Sequence, residues 1–365
     1  MNAILEALRH NRVLWLLVVV PVVFIVEHMA ADAHTALFLL SVLAIVPLAT
    51  LLSQATESVA ARTGDAVGGL LNATLGNLTE LVIAITALRA GMLDLVKASI
   101  AGAIVTNALF MLGMAFLLGG LRHHVQEFNR ATARLQAGML LLATFALMVP
   151  AAISASDRSD AGVLVQHLSV GLSVLLLGAY VLGLIFSLRT HRELFAGVAH
   201  EPGEAESVWP VGVATALLVI VTVLVALVSE VFVGSVQHAA LTFGMSPAFV
   251  GFVVVAIVGA AAEMTTAFAA ARKNRLDLSV GIALGSSAQI ALFVAPVLVL
   301  LSLVVAPVPL DLSFWPGAVV TVLVSTLAVA LVTNGGRSAW YLGVLLLVLY
   351  ATFAMALYIL PPALA

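Results

Sequence analysis

Eleven apolar stretches follow one another along the chain, at roughly residues 13–29, 35–62, 66–88, 95–119, 133–152, 163–188, 208–238, 247–271, 277–304, 314–334 and 339–360, separated by clusters of Gly, Pro and charge. A helix needs about 20 apolar residues to cross the hydrocarbon core of a bilayer. Within lipid only helices and closed barrels satisfy their own backbone hydrogen bonds. The spacing therefore predicts an all-α membrane protein with eleven transmembrane helices. Composition agrees: 63% of the residues are hydrophobic and 9% are charged, where a soluble domain carries about 25% charge.

The same composition removes several classes of function. There is no Cys, which excludes disulfides, thiolate metal sites and cysteine catalysis. With a net charge of −3 and no basic stripe interleaved with aromatics, the expected partner is the lipid bilayer and not nucleic acid. Arg9 and Arg12 precede the apolar stretch from Val13 to Met29. That stretch is long for a cleaved signal segment and is expected to persist as the first span.

Charge in the connections orients the spans. If the N-terminus is cytoplasmic, the inner side holds Arg9, Arg12, Arg62, Arg122, Arg130, Arg134, Arg189, Arg192, Arg272, Lys273, Arg275 and Arg337, and the outer side only Arg89, Lys97 and Arg158. This positive-inside asymmetry places the C-terminus outside after an odd number of spans. One long polar connection, residues 189–207, carries Glu193, Glu201, Glu204 and Glu206 and reads as an acidic cytoplasmic linker.

The halves on either side of that linker are related. Offset by 183 residues and without a gap, Gly76 aligns with Gly259, Glu80 with Glu263, Arg89 with Arg272, Leu93-Asp94-Leu95 with Leu276-Asp277-Leu278, and Gly102 with Gly285. Five spans separate equivalent helices, so the copies run in opposite directions across the membrane. The organisation expected is an extra N-terminal helix (1–34), a first five-helix repeat (35–188), the linker (189–207) and a second, inverted five-helix repeat (208–365). Inverted repeats with polar, Gly-interrupted helices are the architecture of alternating-access secondary transporters.

Carboxylates stand within or near these spans at Glu27, Glu57, Glu80, Glu230 and Glu263, and each costs about 2.5–3.5 kcal/mol at a helix centre on insertion scales. Glu80 and Glu263 are repeat-equivalent, and each follows a Gly by four residues. They are the candidate metal-binding pair. Around them lie Asn72, Asn77, Thr79, Thr106, Asn107, Thr265, Thr266, Ser286, Ser287 and Gln289, all oxygen donors, with no His or Cys in those four spans. Such a set disfavours zinc and copper and suits Ca2+. Glu27 with His28 is expected at the interface, and Arg89 and Arg272 are expected to snorkel. His123-His124 is expected in an exposed loop and Asp94 and Asp277 as helix N-caps. Gly76, Gly259, Gly102 and Gly285 are expected to bend the backbone and present carbonyls to an ion.

The segments GGLLNATLGNLTELVIAITAL (68–88) and AEMTTAFAAARKNRLDLSVGIALGSSAQIALFVAP (262–296), with ATESVA (55–60) and SEVFVGSV (229–236), resemble the repeat motifs of the Ca2+/H+ exchanger (CAX) family of the calcium/cation antiporter superfamily. The resemblance covers essentially the whole chain. It implies that Glu80 and Glu263 are the shared cation- and proton-binding carboxylates. It further implies that Asn107, Gln289, Ser286 and Ser287 line the site, beside Asn77 from the donor set above, and that Glu57 and Glu230 assist entry of protons or cations. The chain departs from the family pattern at Ala260 and Met264, where Asn and His are usual, and at Ala103, which replaces a frequent Ser.

Two ionised carboxylates carry a charge of −2, which one Ca2+ or two protons neutralise equally. If the doubly ionised site is too costly to move through a low-dielectric core, only loaded carriers switch, and exchange follows. The expected activity is export of cytoplasmic Ca2+ against entering H+, with both ions as transported substrates and no cofactor. A Na+- or K+-coupled exchanger on the same scaffold stays open as an alternative, as does a passive channel. An intramembrane hydrolase lacks a nucleophile or a His-x-x-x-His pair in the spans. The compact chain fits a prokaryotic cytoplasmic membrane, and a homo-oligomer remains open.

Overall fold

The computed structural model describes residues 12–63, 65–155, 160–191 and 209–360. The acidic residues of the linker (Glu193, Glu201, Glu204 and Glu206) lie outside them, as do Arg9, Arg158 and Arg192. Among the described residues nine helices are long and apolar enough to cross a membrane, and two sharply bent pairs raise the number to as many as eleven.

In chain order the helices are α1 (Arg12–Met29), α2 (His34–Arg62), α3 (Asp65–Leu75), α4 (Leu78–Arg89), α5 (Leu93–His123), α6 (Arg130–Ser154), α7 (Ala161–Thr190), α8 (Val211–Thr242), α9 (Pro247–Gly259), α10 (Ala261–Arg272), α11 (Leu276–Val305), α12 (Pro316–Thr333) and α13 (Trp340–Ile359). Pairs α3/α4 and α9/α10 are the bent ones, at 41° and 59°. Local chemistry sets several starts. Asn129 caps α6 by accepting from the Ala131 and Thr132 amides, and Ser246 caps α9 by accepting from Phe249, with Pro247 in the first turn, where its missing N–H costs nothing.

Packing is close because small residues line the crossings, the device by which helices associate in lipid. A Cβ on Gly343 of α13 would stand 2.4 Å from the Gly113 carbonyl oxygen of α5, and one on Gly102 would stand 2.2 Å from the Phe252 carbonyl oxygen of α9. Gly102 therefore lets two backbones meet and does not bend its own helix. Gly285, likewise inside a continuous helix, faces the Gln136 amide of α6. Helices α2 and α8 lie along one another, with Phe38 stacked on Phe232 and His34 on His238.

Two connections, again 183 residues apart, are latched at opposite ends of the bundle. At one end, Gln126 donates to the Ala271 carbonyl (2.9 Å) and to Asn274 Oδ1 (2.9 Å), and the Asn129 amide donates to Asp277. At the other, Lys97 Nζ of α5 reaches Asp311 Oδ1 (2.7 Å) and the Ser313 carbonyl (2.9 Å), while the Leu312 amide donates to Ser169 of α7.

Beyond Gly102 and Gly285, three expectations need correction. The chain is not wholly helical: β1 (Val125–Glu127) pairs antiparallel with β2 (Arg337–Ala339), Gln126 opposite Ser338. Asp94 and Asp277 are not N-caps. Met92 and Arg275 hold the cap positions, the acids sit in the first turn, where a carboxylate still suits the helix dipole, and Asp277 is taken up by Asn129. His123 ends α5 instead of lying in a loop, and its ring is 3.0 Å from the Arg272 carbonyl.

Candidate cation and proton site

The two bends build the site. Gly76-Asn77 and Gly259-Ala260 interrupt their helices, so α4 and α10 each begin inside the bundle, with Glu80 and Glu263 in their first turns. The first turn of a helix exposes amides without intrahelical acceptors and carries the positive end of the macrodipole. A negative side chain deep in a membrane protein is best tolerated there, and broken helices are where transporters place it.

The carboxylates of the two halves converge. A Cβ on Gly259 would lie 2.9 Å from Glu80 Cγ and 3.3 Å from Glu80 Oε1, so the first-half carboxylate rests on the second-half break. Glu80 and Glu57 both lie within electrostatic range of Glu263. Glu263 Oε2 is buried without a hydrogen-bond partner, as is Asn107 Oδ1. Buried acceptors in this condition are costly and are suited to an incoming cation or proton.

The facing helices supply a continuous polar network. Asn77 Nδ2 donates to Gln289 Oε1 (2.7 Å), Asn107 Nδ2 to Ser286 Oγ (2.9 Å), and Ser286 Oγ to Asn77 Oδ1 (3.1 Å). Asn107 lies in a π-helical turn of α5 (Thr106–Met111), and Gln289 immediately precedes the matching turn of α11 (Ile290–Val294). Such turns re-aim side chains and recur at functional positions.

The structure thus brings together Glu80, Glu263, Asn77, Asn107, Ser286 and Gln289. It does not turn Ser287 inward: that hydroxyl donates to the Ala283 carbonyl (2.8 Å) and approaches the Ile104 carbonyl (3.3 Å). Glu57 of α2 accepts from Ser53 (3.1 Å) at the margin of the site, and Glu230 of α8 is exposed, as is Asn72. Thr265 and Thr266 spend their hydroxyls on the carbonyls four residues back. Sequence reasoning missed the aromatic residues that back the site. Tyr180 stacks on Phe293 and Tyr350 packs on Phe110, ring centroids 5.3 Å apart in both pairs. The signal was present, since Phe110 and Phe293 share the 183-residue offset.

Comparison with known proteins gives a consistent result. The family model "Sodium/calcium exchanger protein" matches residues 33–189 and 213–359. The chain is 40% identical over 361 residues to the Ca(2+)/H(+) antiporter of Synechocystis sp., covering 95% of this chain and 96% of that one. It is 36% identical over 353 residues to the Ca(2+)/H(+) antiporter ChaA of Bacillus subtilis, covering 96% of this chain and 100% of that one. The crystal structure of the Ca2+/H+ antiporter protein YfkE superimposes with a TM-score of 0.81 at 33% identity, covering 96% of this chain and all of that one. These relatives are named as antiporters and not as enzymes.

Proposed function

The chain belongs to the sodium/calcium exchanger protein family, and from that premise we propose that it is a Ca2+/H+ antiporter. It exports cytoplasmic Ca2+ in exchange for H+ by alternating access. Its eleven spans form one extra helix, residues 1–34, and two inverted five-helix repeats, 35–188 and 208–365, joined by a cytoplasmic linker, with the N-terminus inside and the C-terminus outside a bacterial cytoplasmic membrane. The repeat-equivalent bends, π-helical turns and latched connections support the inversion, because each recurs after 183 residues at the opposite end of the bundle or in the opposed helix.

One observation carries the reading: two carboxylates, each in the first turn of a helix that starts inside the bundle, meet where Glu80 lies against Gly259 and Glu263 keeps an oxygen without a partner. The pair binds one Ca2+ or takes up protons, and Asn77, Asn107, Ser286 and Gln289 complete an all-oxygen lining suited to a hard cation. Uncompensated charge is costly in the membrane interior, so the unloaded, doubly ionised pair resists passage between access states. The requirement to be loaded couples the two fluxes. Glu57 and Glu230 serve the approach of protons or cations from the two sides.

Proteoliposomes containing the purified chain test this directly. Ca2+ uptake should follow an imposed pH gradient, cease when the gradient is collapsed, and be lost in Glu80→Gln. Uptake that persists without the gradient, or is driven equally by Na+ or K+, would overturn the proposal.

A further inference from the structure

The aromatic pairs behind the site are repeat-equivalent in their rings but not in their hydroxyls. Tyr180 of α7 stacks on Phe293, one turn after Gln289, and Tyr350 of α13 packs at a tilt on Phe110, one turn after Asn107, so each tyrosine braces a π-helical turn. The Tyr350 hydroxyl meets Thr106 Oγ1 at 3.2 Å on that same braced helix. The Tyr180 hydroxyl reaches past its ring partner and donates to the Ala73 carbonyl oxygen at 2.7 Å.

Ala73 lies in the last turn of α3, four residues before Asn77. In an unbroken helix its carbonyl would accept from the Asn77 amide. Here the bend at Gly76-Asn77 removes that bond, and among the described residues the backbone hydrogen bonds around the bend run from Gly76 to Asn72 and from Leu81 to Asn77. At the second bend the equivalent carbonyl, Ala256, keeps its helical partner, the Ala260 amide at 3.2 Å. A buried carbonyl released by a helix break needs another donor, and the first bend alone obtains one from a distant helix.

We propose that Tyr180 is a positioning residue for the cation site. Its phenol holds the end of α3 and thereby sets the angle at which Asn77 and Glu80 enter the site, whereas at the second bend the equivalent carbonyl keeps its own helical partner. The inference rests on the antiporter reading for its transport readout. It identifies α7, which contributes no oxygen to the lining, as the helix that fixes the first-half carboxylate.

Tyr180→Phe keeps the ring on Phe293 and removes only the donor. In proteoliposomes the apparent KM for Ca2+ should rise about fivefold with the maximal rate within about twofold, the split expected when a binding geometry and not the slow step is disturbed. Tyr350→Phe, which breaks a contact away from the bend, should leave KM within about twofold of the parent. In parallel, hydrogen exchange of the purified parent and Tyr180→Phe proteins should show amides 76–80 exchanging about tenfold faster in the variant, and those of 259–263 unchanged.

An unchanged KM and exchange pattern in Tyr180→Phe, or an equal KM rise in Tyr350→Phe, overturns the proposal. If the parent protein fails to exchange Ca2+ for H+, the antiporter reading falls and the hydrogen-exchange arm still decides the tether. Should Tyr180→Phe not fold, Phe293→Leu, which frees the phenol to swing from Ala73, should raise KM about twofold to threefold. Its failure to do so counts equally against the proposal.

Discussion

The two bends share a backbone plan and differ in almost every polar detail. Asn77 at the first corresponds to Ala260 at the second, Ala103 to Ser286, Thr106 to Gln289 and Asn107 to Ile290. At three of these four positions a site amide or hydroxyl present in one half is replaced by an apolar side chain in the other. The surviving groups interlock across the interface, with Asn77 on Gln289 and Ser286, and Ser286 on Asn107. Among the polar residues that meet at the candidate site, only the glutamates are kept in both copies. The charge is therefore what the architecture repeats, and one set of neutral donors and acceptors, drawn from both halves, is enough to orient it. A second full set in the same buried space would leave more polar groups than partners.

This comparison can be broken at its strongest point first. If both carboxylates are needed to neutralise one divalent ion, Glu80→Gln and Glu263→Gln should each lower Ca2+-dependent proton flux at least about a hundredfold, as removal of a charge acting in the rate-determining loaded state does. A loss confined to one of them, read by a pH-sensitive dye inside vesicles, would show that the copies are not equivalent in charge either.

Next comes the contact between bends. Gly259→Ala places a methyl 2.9 Å from Glu80 Cγ and should cut transport about tenfold by displacing the carboxylate, with stability falling about 1–3 kcal/mol. Gly76→Ala meets the Asn72 carbonyl at 2.7 Å and loads backbone instead, so its loss should appear in the thermal midpoint more than in KM for Ca2+.

The neutral network provides the third test. Asn77→Ala leaves Gln289 and Ser286 each short of a partner and should destabilise the protein by about 1–3 kcal/mol, with a severalfold rise in KM. Adding Ala260→Asn should not rescue it, because Gln289 faces the first bend. Rescue in a flux assay would mean the halves are interchangeable after all.

The smallest effect belongs to the latches. Lys97→Met removes the partner of a partly buried Asp311 and should lower the thermal midpoint, with about 1 kcal/mol lost and KM for Ca2+ unchanged. Removing the Arg337–Glu127 pair, 2.7 Å apart with side chains 71% and 70% exposed, should cost less than about 0.5 kcal/mol.

Much of this was legible without coordinates, for physical reasons. Bilayer thickness forces apolar runs of a given length, so the spans could be placed within a few residues. An uncompensated carboxylate in such a run is costly enough to mark Glu80 and Glu263. What the pattern could not convey is where hydroxyls point. Ser286 and Ser287 are neighbours in sequence, yet about 100° of helical turn separates them, and only one faces the lining while the other bonds the Ala283 carbonyl. The Asp277 reading failed similarly. An acid at a helix start suggests a cap, but Asn129, 148 positions away, took its carboxylate, a tertiary competition that local propensity does not encode. Tyr180 and Tyr350 went unnoticed because differing connection lengths take them out of the 183-residue register that exposes their ring partners.

The short ribbon between Val125–Glu127 and Arg337–Ala339 has a bearing on synthesis. Its first strand emerges from the ribosome more than half the chain before its second, and a lone strand offers an open edge to any neighbour. Until the segment before the last span is made, residues 125–127 have no mate. Closing this contact is accordingly a late event in assembly, and a chain cut short before Arg337 keeps a sticky, unzipped end.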